Sequence, residues 1–178
     1  MVAPLPDEWL PGWLIRFGVA NGVPARELGA LLNLGAGNWA LNVECRLSPA
    51  IATDIETVSG LSAAMLLALV LPKADAVLML APRVTISPSA VGRRQATWLQ
   101  LCPHCLKEDE APYLRSDWRL ATTLICKRHG RQLIDRCPTC RHGFAVCDAA
   151  WLSPFITCTI CGEDLRPVAG QRLGASSL

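Results

Sequence analysis

The second half of the chain reads Cys102-Pro103-His104-Cys105, then Cys126-Lys127-Arg128-His129, then Cys137-Pro138-Thr139-Cys140 and finally Cys158-Thr159-Ile160-Cys161. Each stretch holds two metal-ligand residues with two residues between them, which is the spacing of a zinc knuckle. This gap lets the backbone turn so that both ligand atoms face one ion, at Zn–S distances of about 2.3 Å. Four such pairs are improbable by chance, so this half of the chain is predicted to fold around metal.

The four pairs make two complete sites. Pairing in sequence order gives one site of three cysteines and a histidine and one of four cysteines, and a closed tetrahedron leaves no position for water or substrate. We therefore expect two structural Zn²⁺ ions whose binding is part of folding. A cross-braced scheme, joining the first pair to the third and the second to the fourth, is also compatible with the spacing. Both schemes use Cys102, Cys105, Cys126, His129, Cys137, Cys140, Cys158 and Cys161.

The composition is that of a globular protein of the cytoplasm. Apolar residues make up 51% of the 178 positions and charged residues 18%. The most apolar stretch, 61–71, is about half of the roughly twenty residues that a membrane span needs. Asp7 and Glu8 stand where a secretory signal would carry basic residues. A reducing compartment also favours metal over disulfides for the nine cysteines.

The first 80 residues are predicted to form short helices separated by Gly, Pro and Asn. An apolar face of Trp9, Trp13, Leu14 and Phe17 predicts a helix over 8–20. Helices joined by tight glycine turns are compatible with a helix-turn-helix arrangement. The predicted fold is a mainly α N-terminal domain, helix-turn-helix-like, followed by two small α+β zinc-ribbon modules.

Three further helices are indicated by their first residues. Pro24 stands at the start of the second, Ser48 precedes the third, and Ser62 is the predicted N-cap of a fourth over 63–69. The expected apolar stripes are Leu28, Leu31 and Leu32 on the second helix and Ile51, Ile55 and Val58 on the third.

Five parts are expected along the chain. They are a helical domain over 1–80, a basic linker over 81–98, a first zinc module over 99–132, a second over 133–168 and a flexible tail over 169–178.

Charge is divided unequally between the two halves. Residues 1–92 carry a net charge of −2 and residues 93–178 a net charge of +4. A polyanion contact is therefore sought in the second half. The candidate contact residues are Arg93, Arg94, Arg115, Arg119, Lys127, Arg128 and Arg131. As an alternative, Arg115 and Arg119 pair with nearby carboxylates while Tyr113 and Trp118 form a small core.

No enzymatic site is indicated. The sequence has no Walker-type Gly-x4-Gly-Lys loop and no zinc-deaminase signature. Its three histidines lie in the zinc region, so no Ser-His-Asp or Cys-His set can be identified. A zinc enzyme would require an open coordination position.

A longer run of residues resembles a known family. It comprises Cys102-Pro103-x-Cys105-Leu106-x-Glu108-Asp109, Tyr113-Leu114-Arg115-x2-Trp118-Arg119-Leu120, Cys126-x2-His129-Gly130 and Leu133-Ile134-Asp135-x-Cys137-Pro138-x-Cys140. The opening Asp7-Glu8-Trp9-Leu10-Pro11-Gly12-Trp13-Leu14-Ile15-Arg16 with Asn21-Gly22 adds to it. Together they are similar to the TniQ family, the target-selection proteins of bacterial transposons. Gly12 stands where that family usually has Ser.

The resemblance implies a fold and partners that spacing alone does not. It implies a helix-turn-helix-like domain, two zinc ribbons paired in sequence order, and recruitment of the transposon's AAA+ ATPase to a chosen target in the bacterial cytoplasm. Short members of the family in CRISPR-associated transposons couple an RNA-guided effector, with its guide RNA, to that ATPase. The expected function is a non-enzymatic adaptor that contacts the ATPase and a DNA or RNA backbone. The alternative is a stand-alone zinc-finger DNA-binding regulator.

Overall fold

Short helices and turns make up the computed structural model, which describes residues 2–35, 39, 43–72, 99–144, 152 and 156–166. The predicted linker over 81–98 and tail over 169–178 lie outside the described residues. The helices of the first part are α1 (Leu10–Ala20), α2 (Ala25–Leu31), α3 (Pro49–Ser59) and α4 (Ala63–Ala68). None of the helices that the structure describes has the length and apolar character needed to span a bilayer.

The ends of these helices follow from local chemistry. The Ser48 hydroxyl accepts a hydrogen bond from the Ile51 N–H at 3.3 Å, and the Ser62 hydroxyl accepts one from the Met65 N–H at 3.5 Å. Both caps satisfy an N–H group that the first helical turn leaves without a backbone partner. Gly60 ends α3 in the left-handed region, with φ at 71°. The predicted starts at Ser48 and Ser62 are confirmed.

The apolar face predicted for α1 is buried, but two stripe positions on the next helices are not. Leu31 is 67% exposed and Val58 61% exposed, so their assignment to the core was wrong. Leu28 and Leu32 are buried as predicted. Gly29 is buried too, and because it has no Cβ the Trp39 ring packs against the backbone there.

The described residues from 99 onward contain little regular structure. Helix α5 (Pro103–Glu108) is followed by a 3-10 turn over Ser116–Arg119. Among the described residues, β structure is limited to isolated antiparallel bridges, such as Leu101 with Ile134. The structure is therefore mostly helical with little strand.

The start of the chain docks onto the residues just after α5. The Trp9 N–H donates to the Leu114 carbonyl at 2.9 Å, and the Ser116 N–H donates to the Asp7 carbonyl at 2.8 Å. Gly12 lies against Leu114 so closely that a Cβ at this position would stand 2.9 Å from the Leu114 Cβ. Buried side chains of both parts form one hydrophobic cluster. The helices and the cysteine-rich region thus share a core.

A buried ion pair also crosses this shared core. The Arg119 guanidinium donates to the Glu44 carboxylate through Nε at 2.8 Å and through a terminal nitrogen at 3.2 Å. Their side chains are 1% and 4% exposed. Burial raises the pKa of Glu44, although the hydrogen bond and charge of Arg119 oppose that rise.

Candidate metal centres

The first cluster gathers four ligand atoms from two backbone turns. The Sγ atoms of Cys102, Cys105 and Cys126 and one ring nitrogen of His129 all lie within 4.8 Å of one another. Cys102 is the N-cap residue of α5 and Cys105 lies in its first turn, so one short helix presents two sulfurs. The other turn is closed by the Gly130 N–H, which donates to the Cys126 carbonyl at 2.8 Å.

The second cluster joins the remaining two pairs. The Sγ atoms of Cys137, Cys140, Cys158 and Cys161 lie within 4.8 Å of one another. The distance between sulfurs is 3.6 Å from Cys137 to Cys161 and 3.7 Å from Cys140 to Cys158, far beyond the roughly 2.05 Å of a disulfide. Both clusters pair in sequence order, so the cross-braced scheme is wrong.

The turns around these ligands share one geometry. As at Cys126, the carbonyl of Cys137 accepts a hydrogen bond at 3.0 Å from the backbone N–H of the residue four positions later. The carbonyl of Cys158 accepts one of the same kind, also at 3.0 Å. The donating residues are Arg141 and Gly162, both with a left-handed backbone. Gly130 and Gly162 meet this requirement without strain, because they have no Cβ.

The distances fit a tetrahedral zinc ion. With Zn–S near 2.3 Å and Zn–N near 2.0–2.1 Å, a regular tetrahedron has edges of about 3.5–3.8 Å. In the first cluster the Nδ1 atom of His129 lies 3.5 Å from Cys102 Sγ, 3.3 Å from Cys105 Sγ and 3.5 Å from Cys126 Sγ. Both clusters could therefore bind metal ions, consistent with zinc.

The thiols of the two clusters differ in how readily they lose a proton. Burial raises the pKa of the Cys102 and Cys158 thiols, and it raises the pKa of Cys137 to about 12. At Cys126 burial also raises the pKa, but hydrogen bonds from the His129 and Arg128 backbone N–H groups and from the His129 ring outweigh it and lower the value to about 7. A metal ion that binds these clusters would have to displace the protons of the thiols whose pKa is raised, so its affinity would fall toward acidic pH.

Most of the predicted contact residues are held by carboxylates. Arg115 donates to Asp109 at 2.9 Å, and its guanidinium lies over the rings of Tyr113 and Trp118, 4.2 and 5.0 Å from their centroids. This agrees with the alternative prediction, in which Arg115 pairs with a nearby carboxylate and the aromatic residues Tyr113 and Trp118 pack into a small core.

Arg119 does not lie on a contact surface. It is buried against Glu44, whose carboxylate it reaches at 2.8 Å. Its inclusion among exposed contact residues is therefore corrected. Arg93 and Arg94 lie outside the described residues.

The remaining basic residues surround the first cluster. Lys127 lies 3.1 Å from an Asp117 oxygen, and Arg128 lies 2.9 Å from Asp109. Arg131 is exposed and forms no ion pair within the described ranges. The structure thus brings these cations together, but mostly as members of ion pairs.

A carboxylate next to the histidine ligand was not identified from the sequence. Glu108 Oε2 lies 3.0 Å from His129 Nε2 and 3.0 Å from a terminal nitrogen of Arg128. The contact with His129 lowers the pKa of Glu108. Its position three residues after Cys105, at the end of the helix that carries candidate ligands, is the signal that could have indicated it.

The comparisons with known proteins concern the same region. No curated protein matches the sequence. A family model described as TniQ matches residues 1–133. The match includes helices α1 to α5 and all four ligands of the first cluster, and it covers about three quarters of the chain. The chain therefore belongs to the TniQ family and is a transposition-associated protein.

Proposed function

We propose that this protein is a non-enzymatic target-selection adaptor of transposition. It links a targeting complex or target DNA to the AAA+ ATPase of the transposon, in the bacterial cytoplasm. The observation that carries the proposal is the TniQ match over residues 1–133. Each cluster provides four protein ligands, which favours structural zinc over catalysis at the metal. The ions hold a recognition surface in place.

The charge distribution favours a protein partner over stand-alone DNA binding. Lys127 and Arg128 are engaged by acidic side chains, and Arg119 is buried. A domain that binds nucleic acid by itself usually presents a continuous basic face whose cations replace counterions on the phosphates. Here Arg131 is an exposed cation that stands apart from the ion pairs. This arrangement suits an adaptor that touches a nucleic-acid backbone only alongside other components.

The targeting partner is proposed to be an RNA-guided effector or target DNA. The helix-turn-helix-like character of the first domain is part of this proposal. Contact with a DNA or RNA backbone is assigned to the basic residues that remain accessible or that precede the first zinc module. They are Arg93, Arg94, Lys127, Arg128 and Arg131.

A pull-down with the transposon's ATPase tests the adaptor role. The tagged full chain is incubated with the ATPase and ATP, with and without DNA and with and without the effector complex. We expect capture that depends on an intact first cluster, so that Cys126→Ser abolishes it while Cys45→Ser does not. Failure to capture the ATPase under every condition would refute the adaptor role.

A gel-shift series across salt concentrations tests the competing role. A stand-alone regulator would bind one DNA sequence far more tightly than others, as the isolated protein. An adaptor would bind weakly, with little discrimination between sequences and a strong salt dependence. For the adaptor we expect Arg131→Ala to reduce the salt slope by about one.

A further inference from the structure

His129 is the single ligand of the two clusters that has two possible metal-binding atoms. Its Nδ1 faces the three sulfurs of the first cluster at 3.3 to 3.5 Å, and its Nε2 faces the Glu108 carboxylate at 3.0 Å. We propose that Glu108 is a positioning residue for the first metal centre, which selects Nδ1 of His129 as the ligand atom. The inference rests on the proposed zinc ion and adds a residue outside its four ligands.

The physical basis is the single proton of a neutral imidazole. One ring nitrogen carries the proton and the other offers the lone pair that binds metal. A carboxylate acceptor at Nε2 keeps the proton on that nitrogen, and the Nδ1 lone pair is then free for the ion. A carboxylate this close to Nε2 also restricts the rotation of the ring and raises its basicity.

The fold holds Glu108 in this place from two sides. Cys102 is the N-cap of helix α5, Cys105 lies in its first turn, and Glu108 is its last residue, so one short element carries the carboxylate and two of the sulfurs. On the other side, Arg128 next to the histidine forms an ion pair with the same Glu108 oxygen at 3.0 Å. Glu108 therefore ties the helix that carries Cys102 and Cys105 to the turn that carries Cys126 and His129.

The competing explanation is an ordinary surface ion pair. The Glu108 side chain is 49% exposed, and an exposed pair with Arg128 would contribute little to stability. In that case the closeness of His129 would have no consequence for the metal. The two explanations differ in zinc affinity and in the protonated nitrogen of His129.

The test uses the full chain loaded with zinc. Zinc affinity is measured by competition with a chromophoric chelator for wild type, Glu108→Ala and Glu108→Gln. We expect Glu108→Ala to weaken one of the two sites by about 10–100-fold while the other is unchanged. Glu108→Gln keeps an oxygen acceptor and should lose less.

A matched control removes charge without removing the contact to the ring. Glu110→Ala deletes an exposed acidic residue two positions away. It should keep an affinity close to that of wild type. Long-range ¹H–¹⁵N spectra of the histidine rings provide the second readout, and in wild type we expect zinc on Nδ1 and hydrogen on Nε2 of His129.

The outcomes separate this inference from the zinc assignment. Wild type that binds two ions, with Glu108→Ala no weaker than Glu110→Ala, would overturn the role of Glu108 alone. Zinc on Nε2 of His129 in wild type would overturn it as well. Wild type with no ion at the first cluster would overturn the proposed zinc centre and, with it, this inference.

Discussion

Replacing Arg119 by methionine should destabilise the protein through the carboxylate that it leaves behind. Glu44 is 4% exposed and receives two hydrogen bonds from Arg119, at 2.8 and 3.2 Å. Breaking such a buried pair from one side costs about 3–5 kcal/mol, because the remaining charge is neither solvated nor paired. For a domain of this size the loss corresponds to a fall in Tm of roughly 6–20 °C.

The assay is a double-mutant cycle in denaturant at saturating zinc. Arg119→Met, Glu44→Leu and the double variant are compared with wild type, and the double variant should recover most of the loss, since two apolar side chains replace the pair. Arg166→Met is the control, because its pair with Asp164 is exposed and should contribute less than about 1 kcal/mol. A loss in Arg119→Met no larger than in the control would refute the reasoning.

The pH dependence of the same variant gives an independent check. Burial already raises the pKa of Glu44, and removing Arg119 takes away the interactions that oppose this rise. A carboxyl whose pKa is higher in the folded than in the unfolded state supports folding below its unfolded pKa. That support is lost as the pH rises through the folded value. The deficit of Arg119→Met relative to wild type should therefore shrink toward acidic pH. A deficit that is constant with pH would contradict this account.

Three further predictions concern packing, capping and metal content. Gly12→Ala should lower the unfolding free energy by about 1–3 kcal/mol in denaturant melts, because the new Cβ meets Leu114 at 2.9 Å. This loss should outweigh the gain of up to ~1 kcal/mol that alanine brings as the better helix former. A variant as stable as wild type, or more stable, would contradict the close contact. Ser48→Ala should cost about 1 kcal/mol in the same melts through loss of the N-cap hydrogen bond, whereas an unchanged midpoint would show that the cap is not needed. By elemental analysis Cys158→Ser should retain one of the two zinc ions, and Cys45→Ser should retain both, since the two clusters share no ligand. Loss of both ions in Cys158→Ser would contradict the independence of the clusters.

The two clusters of candidate metal ligands could be predicted from the sequence because knuckle spacing is a local property. Cys126 and His129, for example, lie within one turn of backbone, so their convergence needs no knowledge of the rest of the fold. The N-caps at Ser48 and Ser62 were predictable for the same reason. Pairing order was left open by spacing, and it became clear only when the sulfurs were placed in space.

Features that depend on distant contacts could not be predicted. Glu44 and Arg119 lie 75 residues apart, and no pattern in either neighbourhood indicates the other. Trp39 packs against Gly29, a contact that periodicity alone cannot reveal. The close approach of Leu114 to Gly12 is likewise visible only in the folded chain.

The shared core of α1 and the first cluster has a consequence for synthesis on the ribosome. Glu44 is made 75 residues before Arg119, which at 5–20 residues per second is a delay of about 4–15 s. Hydrophobic collapse of a short chain takes less than about 100 μs. The apolar face of α1 therefore remains unburied by the cysteine-rich region for far longer than collapse takes. A nascent chain in this interval is a substrate for chaperones and prone to aggregation. A fragment that ends near residue 72 would keep that exposure permanently.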